Sequence, residues 1–260
     1  MTLLSIITIN LNNVIGLEKT IQSVTCQDFE NFEYIVVDGG SNDGSIDVIR
    51  KYSGKINFWK SEEDDGIYNA MNKGIKMASG KYCLFLNSGD WLYGNTVLSE
   101  CFKQEFNEDV VYGHQLVQEG DKFVEDGCLD VKYFSFSALM KYHVPHQCTF
   151  IKRELFNNIG LYDESYKIVS DWLFIVLAAC RHNCSFKRID NFIAVYDKTG
   201  LSNNPGFIKF QADERRKALQ KYFPLFLTDY ENFEKFRNKK YIKLVMFFIE
   251  HFRKLKTIKH

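Results

Sequence analysis

Strand-like apolar segments alternate with helix-like segments along the first third of this 260-residue chain, and this alternation constrains the fold more than any other feature. Residues 3–9, 32–37, 56–60 and 82–86 are predominantly apolar runs of strand length, and helical periodicity follows each of them. A strand–helix unit repeated four times predicts an α/β fold. Its sheet should be twisted and mostly parallel, with right-handed crossovers and helices on its faces.

Polar turns follow these predicted strands where each strand ends, at residues 10–13, 38–44, 61–66 and 87–90. Ligands bind beyond the carboxyl ends of the strands in an open α/β sheet, so we expect Asp38, Asp65 and Asp90 to share one edge. Asp38 suits a hydrogen bond from a nucleobase N–H or a ribose hydroxyl, and Asp90 suits a divalent cation. Each alone is equally an ordinary turn or capping residue. Their convergence favours a binding site.

The composition and the first turn disfavour several classes of protein. Thirty-three basic residues balance 33 acidic ones, so no overall positive charge indicates a nucleic-acid partner. The first turn lacks the Gly-x-Gly-x-x-Gly pattern of nicotinamide and flavin domains. The seven cysteines have no zinc-ligand spacing, and the sequence shows neither a secretory signal nor a membrane-spanning run. We therefore expect reduced thiols in a cytoplasmic protein.

The remaining part of the domain predicts further elements around two chemically suggestive segments. His146 and Gln147 open a short strand and could contact a sugar, although a buried core histidine is an equally ordinary interpretation. Asp171 lies in the first turn of an apolar helix, behind Ser170 as N-cap, where the helix dipole favours a negative charge. Strands are expected at residues 109–112, 115–123, 145–151, 185–189 and 192–196, helices at 95–106, 155–159, 170–181 and 207–222, an irregular acceptor-facing loop at 126–145 and a polar loop at 197–204.

The last segment of the chain is strongly basic. Residues 235–260 carry nine Lys and Arg residues against one acidic residue, Glu250, and their apolar residues recur at helical spacing. A basic amphipathic helix is typical of a segment that lies on an anionic membrane surface. Docking onto the preceding domain or onto a second subunit of a homo-oligomer explains the same pattern, and the sequence leaves these alternatives open.

Six motifs, taken in their order and spacing, resemble those of the family 2 glycosyltransferases with the GT-A fold. The similarity covers about residues 3–205 and is greatest to bacterial enzymes that assemble capsule, O-antigen or exopolysaccharide. The motifs are Ser5-Ile6-Ile7-Thr8-Ile9-Asn10-Leu11-Asn12, Val36-Val37-Asp38-Gly39-Gly40-Ser41-Asn42-Asp43-Gly44, Asp65-Gly66-Ile67-Tyr68-Asn69-Ala70-Met71-Asn72-Lys73-Gly74, Phe85-Leu86-Asn87-Ser88-Gly89-Asp90, His146-Gln147 and Ser170-Asp171-Trp172.

The resemblance implies an inverting, metal-dependent glycosyltransferase of the hexosyltransferase type that acts in cell-surface polysaccharide biosynthesis. It implies Mg²⁺ or Mn²⁺ as cofactor, a nucleotide-sugar as donor and a saccharide acceptor, which we expect to be carried on a polyprenyl lipid. The expected domain spans residues 1–222, with a nucleotide-binding half at 1–113 and an acceptor and catalytic half at 114–222. A basic helical tail at 223–260 follows, peripheral to the inner face of the membrane.

The resemblance also implies roles for individual residues. Asp171 matches the family's catalytic base, and Asp90 matches the last Asp of the Asp-x-Asp metal motif. His146 and Gln147 are expected near the donor sugar or the acceptor. Trp172 is expected to pack behind Asp171, with a place in the acceptor groove as the alternative. The expected donor-binding residues are Thr8, Ile9, Asn10, Asn12, Asp38, Gly40, Asp65, Asn87, Ser88, Gly89 and Asp90.

One departure from the family pattern concerns the metal motif, in which Asp90 is the only carboxylate. Mg²⁺ and Mn²⁺ commonly take one or two protein carboxylates and complete about six oxygen ligands with diphosphate and water. We therefore expect weak metal binding without donor. Two other functions stay open, a nucleotidyltransferase and a non-catalytic nucleotide-sugar-binding protein. The absence of a basic Gly-rich loop at residues 10–13 argues against the first, and Asp171 argues against the second.

Overall fold

A computed structural model describes residues 2–198 and 206–237, together with residues 239 and 242. The chain forms two compact units, Met1–Gln211 and Ala212–His260. The strands are β1 (Leu4–Asn10), β2 (Phe32–Asp38), β3 (Phe58–Ser61), β4 (Tyr82–Phe85), β5 (Trp91–Leu92), β6 (Val110–Glu119), β7 (Lys122–Asp126), β8 (Thr149–Lys152) and β9 (Phe186–Tyr196). The helices are α1 (Val14–Thr25), α2 (Ser45–Lys51), α3 (Ile67–Met77), α4 (Val97–Cys101), α5 (Phe136–Lys141), α6 (Leu155–Asn158), α7 (Ser170–Cys180), α8 (Phe207–Tyr222) and α9 (Pro224–Arg237).

The sheet of the first unit has the strand order β3-β2-β1-β4-β8-β6-β9-β5, with β7 paired to β6. The four strands predicted from the first third of the sequence pair in parallel. Beyond β4 the pairings are mixed: β8 is antiparallel to β4 and to β6, whereas β9 is parallel to β6 and antiparallel to β5. The predicted α/β class is confirmed. The parallel arrangement belongs mainly to the first half of the sheet.

Strand β1 lies at the centre of the parallel half, and all seven of its residues are buried. In register, Asn10 is opposite Asp38 of β2, and Ile7 is opposite Phe85 of β4. Helix α3 packs across β1 and β2. Its Gly74 permits this close approach, because a Cβ there would collide with the side chain of Ile7. The ends of these strands are thereby held at one edge of the sheet.

Two predicted elements were wrong in extent, and both differences follow from tertiary packing. The helix expected at 95–106 is limited to α4, because Phe102 and Phe106 are held by ring contacts at centroid distances of 5.2 Å from each other and 5.0 and 6.1 Å from Phe150. The two strands expected at 185–189 and 192–196 are one strand, β9. An irregularity opposite His114 absorbs the polar residues between them.

The antiparallel edge expected at 115–123 was also wrong in its bounds. Residues up to Glu119 continue β6, and the antiparallel edge strand is β7. Helix α5 lies within the segment expected to be irregular. All seven cysteines are free thiols, three of them buried.

The second unit contains the end of α8 and all of α9, which begins at Pro224 as the predicted break requires. Arg216 of α8 pairs with Glu231 of α9 at 2.9 Å. Most of the predicted tail at 235–260, and most of the predicted loop at 197–204, lie outside the described residues. Among the helices that are described, none has both the length and the hydropathy required to cross a bilayer.

Candidate active site

A cavity of about 580 Å³ opens at the edge where β1 and β4 end. Strand β1 supplies its last two residues to the wall, and the turn after β4 supplies three more. The remaining residues come from the turns after β1 and β3, the start of α3, the segment before β8 and the end of β9. The lining residues are Ile9, Asn10, Leu11, Asn13, Asp64, Gly66, Ile67, Ala70, Asn87, Ser88, Asp90, His146, Tyr196 and Asp197.

Asp38 lies behind this wall and is fully buried. Its carboxylate accepts hydrogen bonds from Asn10 Nδ2 at 2.7 Å, Ser41 Oγ at 2.6 Å and Ser61 Oγ at 2.7 Å. Burial opposes ionisation of Asp38, but these donors outweigh it and hold its pKa below the ordinary value. Asp38 therefore orients Asn10, and it is Asn10 that lines the cavity.

The amide of Asn10 has a defined orientation because its nitrogen donates to the Asp38 carboxylate. Its oxygen, Oδ1, is buried and has no hydrogen-bond partner among the described residues. A buried acceptor without a partner costs free energy, so a ligand that donates an N–H or O–H at this point would be favoured.

Four other residues expected around the nucleotide do not line the cavity. Thr8 is buried and donates its hydroxyl to a backbone carbonyl at 2.8 Å, away from the cavity. Asn12 and Gly40 have positive φ values of 49° and 82° and shape the turns beside the cavity. Asp65 does not line the cavity, whereas its neighbour Asp64 does.

Asp90 ends the turn after β4 and is 4% exposed. Its Oδ1 accepts the backbone N–H of Asp197 at 2.9 Å. Burial raises the pKa of Asp90 to about 7, against the attraction of His146, and the charge of Asp197 raises it further. Gly89 has a φ of 106°, and a Cβ there would lie 2.7 Å from Asp197 Oδ2, so this turn requires glycine.

Asp197 brings a second carboxylate-bearing residue to the cavity that Asp90 lines. It lines the same cavity as Asp90, and one hydrogen bond joins the two residues. Oxygen ligands suit Mg²⁺ and Mn²⁺, and a buried carboxylate with a raised pKa is stabilised by a nearby cation. The described residues contain no group of three or more His, Cys, Asp or Glu side chains arranged as a metal site. The pair fits a cation whose remaining ligands come from substrate and water.

Asp171 lies in the first turn of α7, which begins at Ser170 with Val169 as its N-cap, so the predicted Ser170 cap was wrong by one residue. Tyr68 donates its hydroxyl to Asp171 Oδ1 at 2.8 Å, and His146 Nδ1 lies 3.2 Å from Oδ2. Burial opposes ionisation of Asp171, but His146 and Tyr68 outweigh it and lower its pKa. About a quarter of the side chain is exposed, 26%, so it remains accessible.

The three residues expected near the sugar occupy different environments. His146 lines the cavity and connects it to Asp171. Gln147 is buried and donates Nε2 to Gln115 at 2.7 Å. The ring of Trp172 is buried, and its Nε1–H donates a hydrogen bond to a backbone carbonyl at 2.8 Å.

Sequence reasoning missed five polar residues of this site. Asn13, Asp64, Tyr196 and Asp197 line the cavity, and Tyr68 binds Asp171. For Asp197 a signal was available, because it directly follows an apolar strand as Asp38 does. Tyr68 stands 103 positions from Asp171, so no local pattern connects the two.

Comparison with known proteins identifies the family of this chain. The family model described as "Glycosyl transferase family 2" matches residues 5–160. The chain belongs to this family of glycosyltransferases. A PGL/p-HBAD biosynthesis glycosyltransferase of Mycobacterium bovis is 31% identical over 206 residues, 76% of this chain and 78% of that protein. An uncharacterized glycosyltransferase of Mycobacterium tuberculosis is 32% identical over 209 residues, 77% of each chain.

Solved structures show the GT-A-like fold of this glycosyltransferase. Staphylococcus aureus TarS in complex with UDP superposes with a TM-score of 0.61 at 21% identity, over 75% of this chain and 60% of the TarS chain. The mannosyltransferase PcManGT of Pyrobaculum calidifontis, in complex with GDP-Man and Mn²⁺, superposes with a TM-score of 0.63 at 14% identity, over 88% and 68%. The family assignment decides against the nucleotidyltransferase and the non-catalytic binding protein.

Replacing Asp90 by Asn should stabilise the metal-free protein at alkaline pH. The pKa of Asp90 is raised from 3.8 to about 7, so between these values the folded state holds a proton that the unfolded state releases. Wild-type stability is therefore present below the unfolded pKa and falls as the pH rises through about 7. The neutral Asn side chain removes this loss, on the order of a few kcal/mol, and its Oδ1 can still accept the Asp197 N–H.

Thermal unfolding in EDTA from about pH 4 to pH 8 measures this effect. The matched control is Asp43→Asn, because Asp43 is exposed and accepts hydrogen bonds from Val14 N and Ser45 Oγ, which outweigh its slight desolvation and lower its pKa. The control should lower Tm at neutral pH, with a difference that shrinks as the pH falls. An Asp90→Asn protein less stable than wild type at about pH 8 would contradict the prediction.

Proposed function

We propose that this glycosyltransferase is an inverting enzyme that transfers a sugar from a nucleoside diphosphate to a hydroxyl group of a saccharide. One observation carries the proposal: a single cavity joins the strand-end residues Asn10 and Asp90 to His146, the partner of Asp171. Asp171 does not itself line the cavity, and His146 is the residue that connects the proposed base to the proposed donor site.

The donor half of the cavity has groups that suit a nucleotide. Asn10 Oδ1 is a buried acceptor in need of a donor, which a ring N–H of a base or a ribose hydroxyl would satisfy. Asn13, Asp64 and Ser88 provide further polar wall. The complexes of TarS with UDP and of PcManGT with GDP-Man support a nucleotide-sugar as the donor.

Asp90 and Asp197 are the residues that would hold Mg²⁺ or Mn²⁺ in the proposed enzyme. Asp90 is buried, and its carboxylate accepts a hydrogen bond from the backbone N–H of Asp197, which directly follows β9. A divalent cation there would neutralise charge that develops on the departing diphosphate. The Mn²⁺ of the PcManGT complex supports this cofactor class.

Asp171 is proposed as the general base. Its lowered pKa keeps the carboxylate ionised at neutral pH, so it can accept the proton of an acceptor hydroxyl. The acceptor oxygen then bonds to the anomeric carbon as the bond from that carbon to the diphosphate oxygen breaks, and the nucleoside diphosphate leaves. Because attack is opposite the leaving group, the anomeric configuration inverts, and no covalent enzyme intermediate is required.

Removal of divalent metal should suppress transfer. In excess EDTA we expect loss of turnover, restored by Mn²⁺ or Mg²⁺, and Asp197→Asn should raise the metal concentration needed for half-maximal rate. A coupled assay that detects released nucleoside diphosphate measures both. Ca²⁺-saturated EDTA is the control for non-specific effects of the chelator. Full activity in excess free EDTA would defeat the metal proposal.

Asp171→Asn should abolish transfer while donor binding persists. The amide keeps the shape of the carboxylate but cannot accept the acceptor's proton, and general-base catalysis is typically worth about 10²–10⁴-fold. Turnover and nucleotide-sugar affinity are measured on the same preparation. Asp190→Asn is the matched control, because Asp190 is an exposed residue of β9 outside the cavity. Unchanged turnover in Asp171→Asn would remove Asp171 from this role.

The proposal includes a lipid-linked saccharide acceptor and a peripheral position on an anionic membrane. It rests on the sequence of residues 235–260, which contains nine basic residues and one acidic residue. In this proposal residues 1–113 bind the donor, residues 114–222 contribute the acceptor and catalytic side, and the tail brings the enzyme to its acceptor.

Deletion of residues 235–260 should reduce co-sedimentation with anionic phospholipid vesicles and spare hydrolysis of the donor. Electrostatic attraction supplies much of such binding, so neutral vesicles and high salt should reduce it as well. A full-length variant with Arg253, Lys254, Lys256 and Lys259 changed to Gln keeps the tail length and isolates its charge. Unchanged vesicle binding, with a smaller particle in sedimentation, would assign the tail to subunit contact.

A further inference from the structure

The carboxylate of Asp171 is held at both oxygens by residues from two other elements. Tyr68 of α3 donates to Oδ1 at 2.8 Å, and His146, in the single-turn helix His146–Cys148 before β8, approaches Oδ2 with Nδ1 at 3.2 Å. Two contacts on opposite oxygens restrict rotation of the carboxylate about its last torsion angle. The orientation of the proposed base is therefore set by residues outside α7.

The contact of the second ring nitrogen of His146, Nε2, bears on which ring nitrogens carry protons. Asn87 Nδ2 lies 3.3 Å from His146 Nε2, while Asn87 Oδ1 is buried without a hydrogen-bond partner among the described residues. With the amide in this orientation, Nε2 accepts and the ring proton is on Nδ1. With the amide reversed, Oδ1 gains a partner and both ring nitrogens carry protons. In both cases Nδ1–H donates to Asp171.

We propose that His146 is a positioning residue that acts through Asp171: its Nδ1–H fixes the orientation of the Asp171 carboxylate. This inference rests on the proposed function, in which Asp171 is the base. Hydrogen bonds from neighbouring groups commonly orient catalytic side chains, and a misplacement of about 1 Å at a reacting group costs on the order of 10²-fold in rate. Asn87 extends the same chain to the turn that carries Asp90.

The charges around His146 come from three elements. Asp171 of α7 and Asp90 of the turn after β4 attract a proton to the ring, and although burial opposes this, the pKa of His146 is raised. Asp197, at the end of β9, lines the same cavity. Loss of His146 removes the largest favourable contribution to the ionised form of Asp171 and leaves the hydrogen bond from Tyr68. The pKa of Asp171 should then rise.

Two substitutions of His146 separate this role from a structural one. His146→Ala should lower kcat on the order of 10²-fold, change the KM for donor less than about twofold, and move the acidic limb of the pH–rate profile to higher pH. His146→Asn places an amide nitrogen near the position of Nδ1. It should therefore restore part of kcat and reverse part of the shift of the acidic limb. His114→Ala, on β6 and paired with Glu125, is the matched control and should leave both unchanged.

A second measurement does not depend on turnover. NMR titration of the His146 ring in EDTA should show that Asp171→Asn lowers the pKa of His146. If the wild type transfers no sugar but this coupling is observed, the proposed function fails and the His146–Asp171 pair stands. An unchanged acidic limb in His146→Ala, a rise in donor KM at constant kcat, or an uncoupled titration would each overturn the positioning role.

Discussion

The parallel pairing of β1 with a strand on each side is the constraint on which the rest of the site depends. All seven residues of β1 are buried, so the polar side chain at its end, that of Asn10, requires hydrogen-bond partners inside the protein. Asn10 donates to Asp38, the residue opposite it on β2. The same register brings the turn after β4 alongside, where Ser88 N donates to Ile9 O at 3.0 Å. The cavity wall is thus a consequence of sheet geometry.

Buried carboxylates in this enzyme acquire different properties because they receive different numbers of donors. Asp90 accepts a backbone N–H from Asp197, and burial raises its pKa to about 7. Asp171 receives Tyr68 and His146, which outweigh burial and lower its pKa. Environment, not residue type, therefore separates a carboxylate suited to a cation from one suited to act as a base. The helix dipole at the start of α7 favours the charge of Asp171 in the same direction.

Sequence reasoning selected residues that line the cavity where a polar residue directly follows a visible apolar run, as Asn10 and Asn87 do. It selected Asp65, whereas the neighbouring Asp64 lines the cavity. The turn at Gly66, whose φ is 113°, decides which of the two adjacent carboxylates faces the cavity, and the sequence does not show this turn. A place in the acceptor groove was one interpretation of Trp172. In the structure its ring is buried and its indole N–H donates to a backbone carbonyl. Contacts across more than 100 positions, such as Tyr68 with Asp171, require the tertiary fold.

The single carboxylate in the metal motif is compensated from a distance of 107 positions in sequence, by Asp197. Two carboxylates at one end of a cavity repel each other, and burial adds to the cost unless a positive charge is near. Lys19 is close to Asp197 but lies over the Trp91 ring at 2.9 Å, and burial lowers its pKa despite that carboxylate. His146 attracts the charge of Asp90, but burial outweighs it and the pKa of Asp90 is about 7. In the proposed enzyme, a divalent cation would compete with this proton near neutral pH, and its binding would be coupled to proton release.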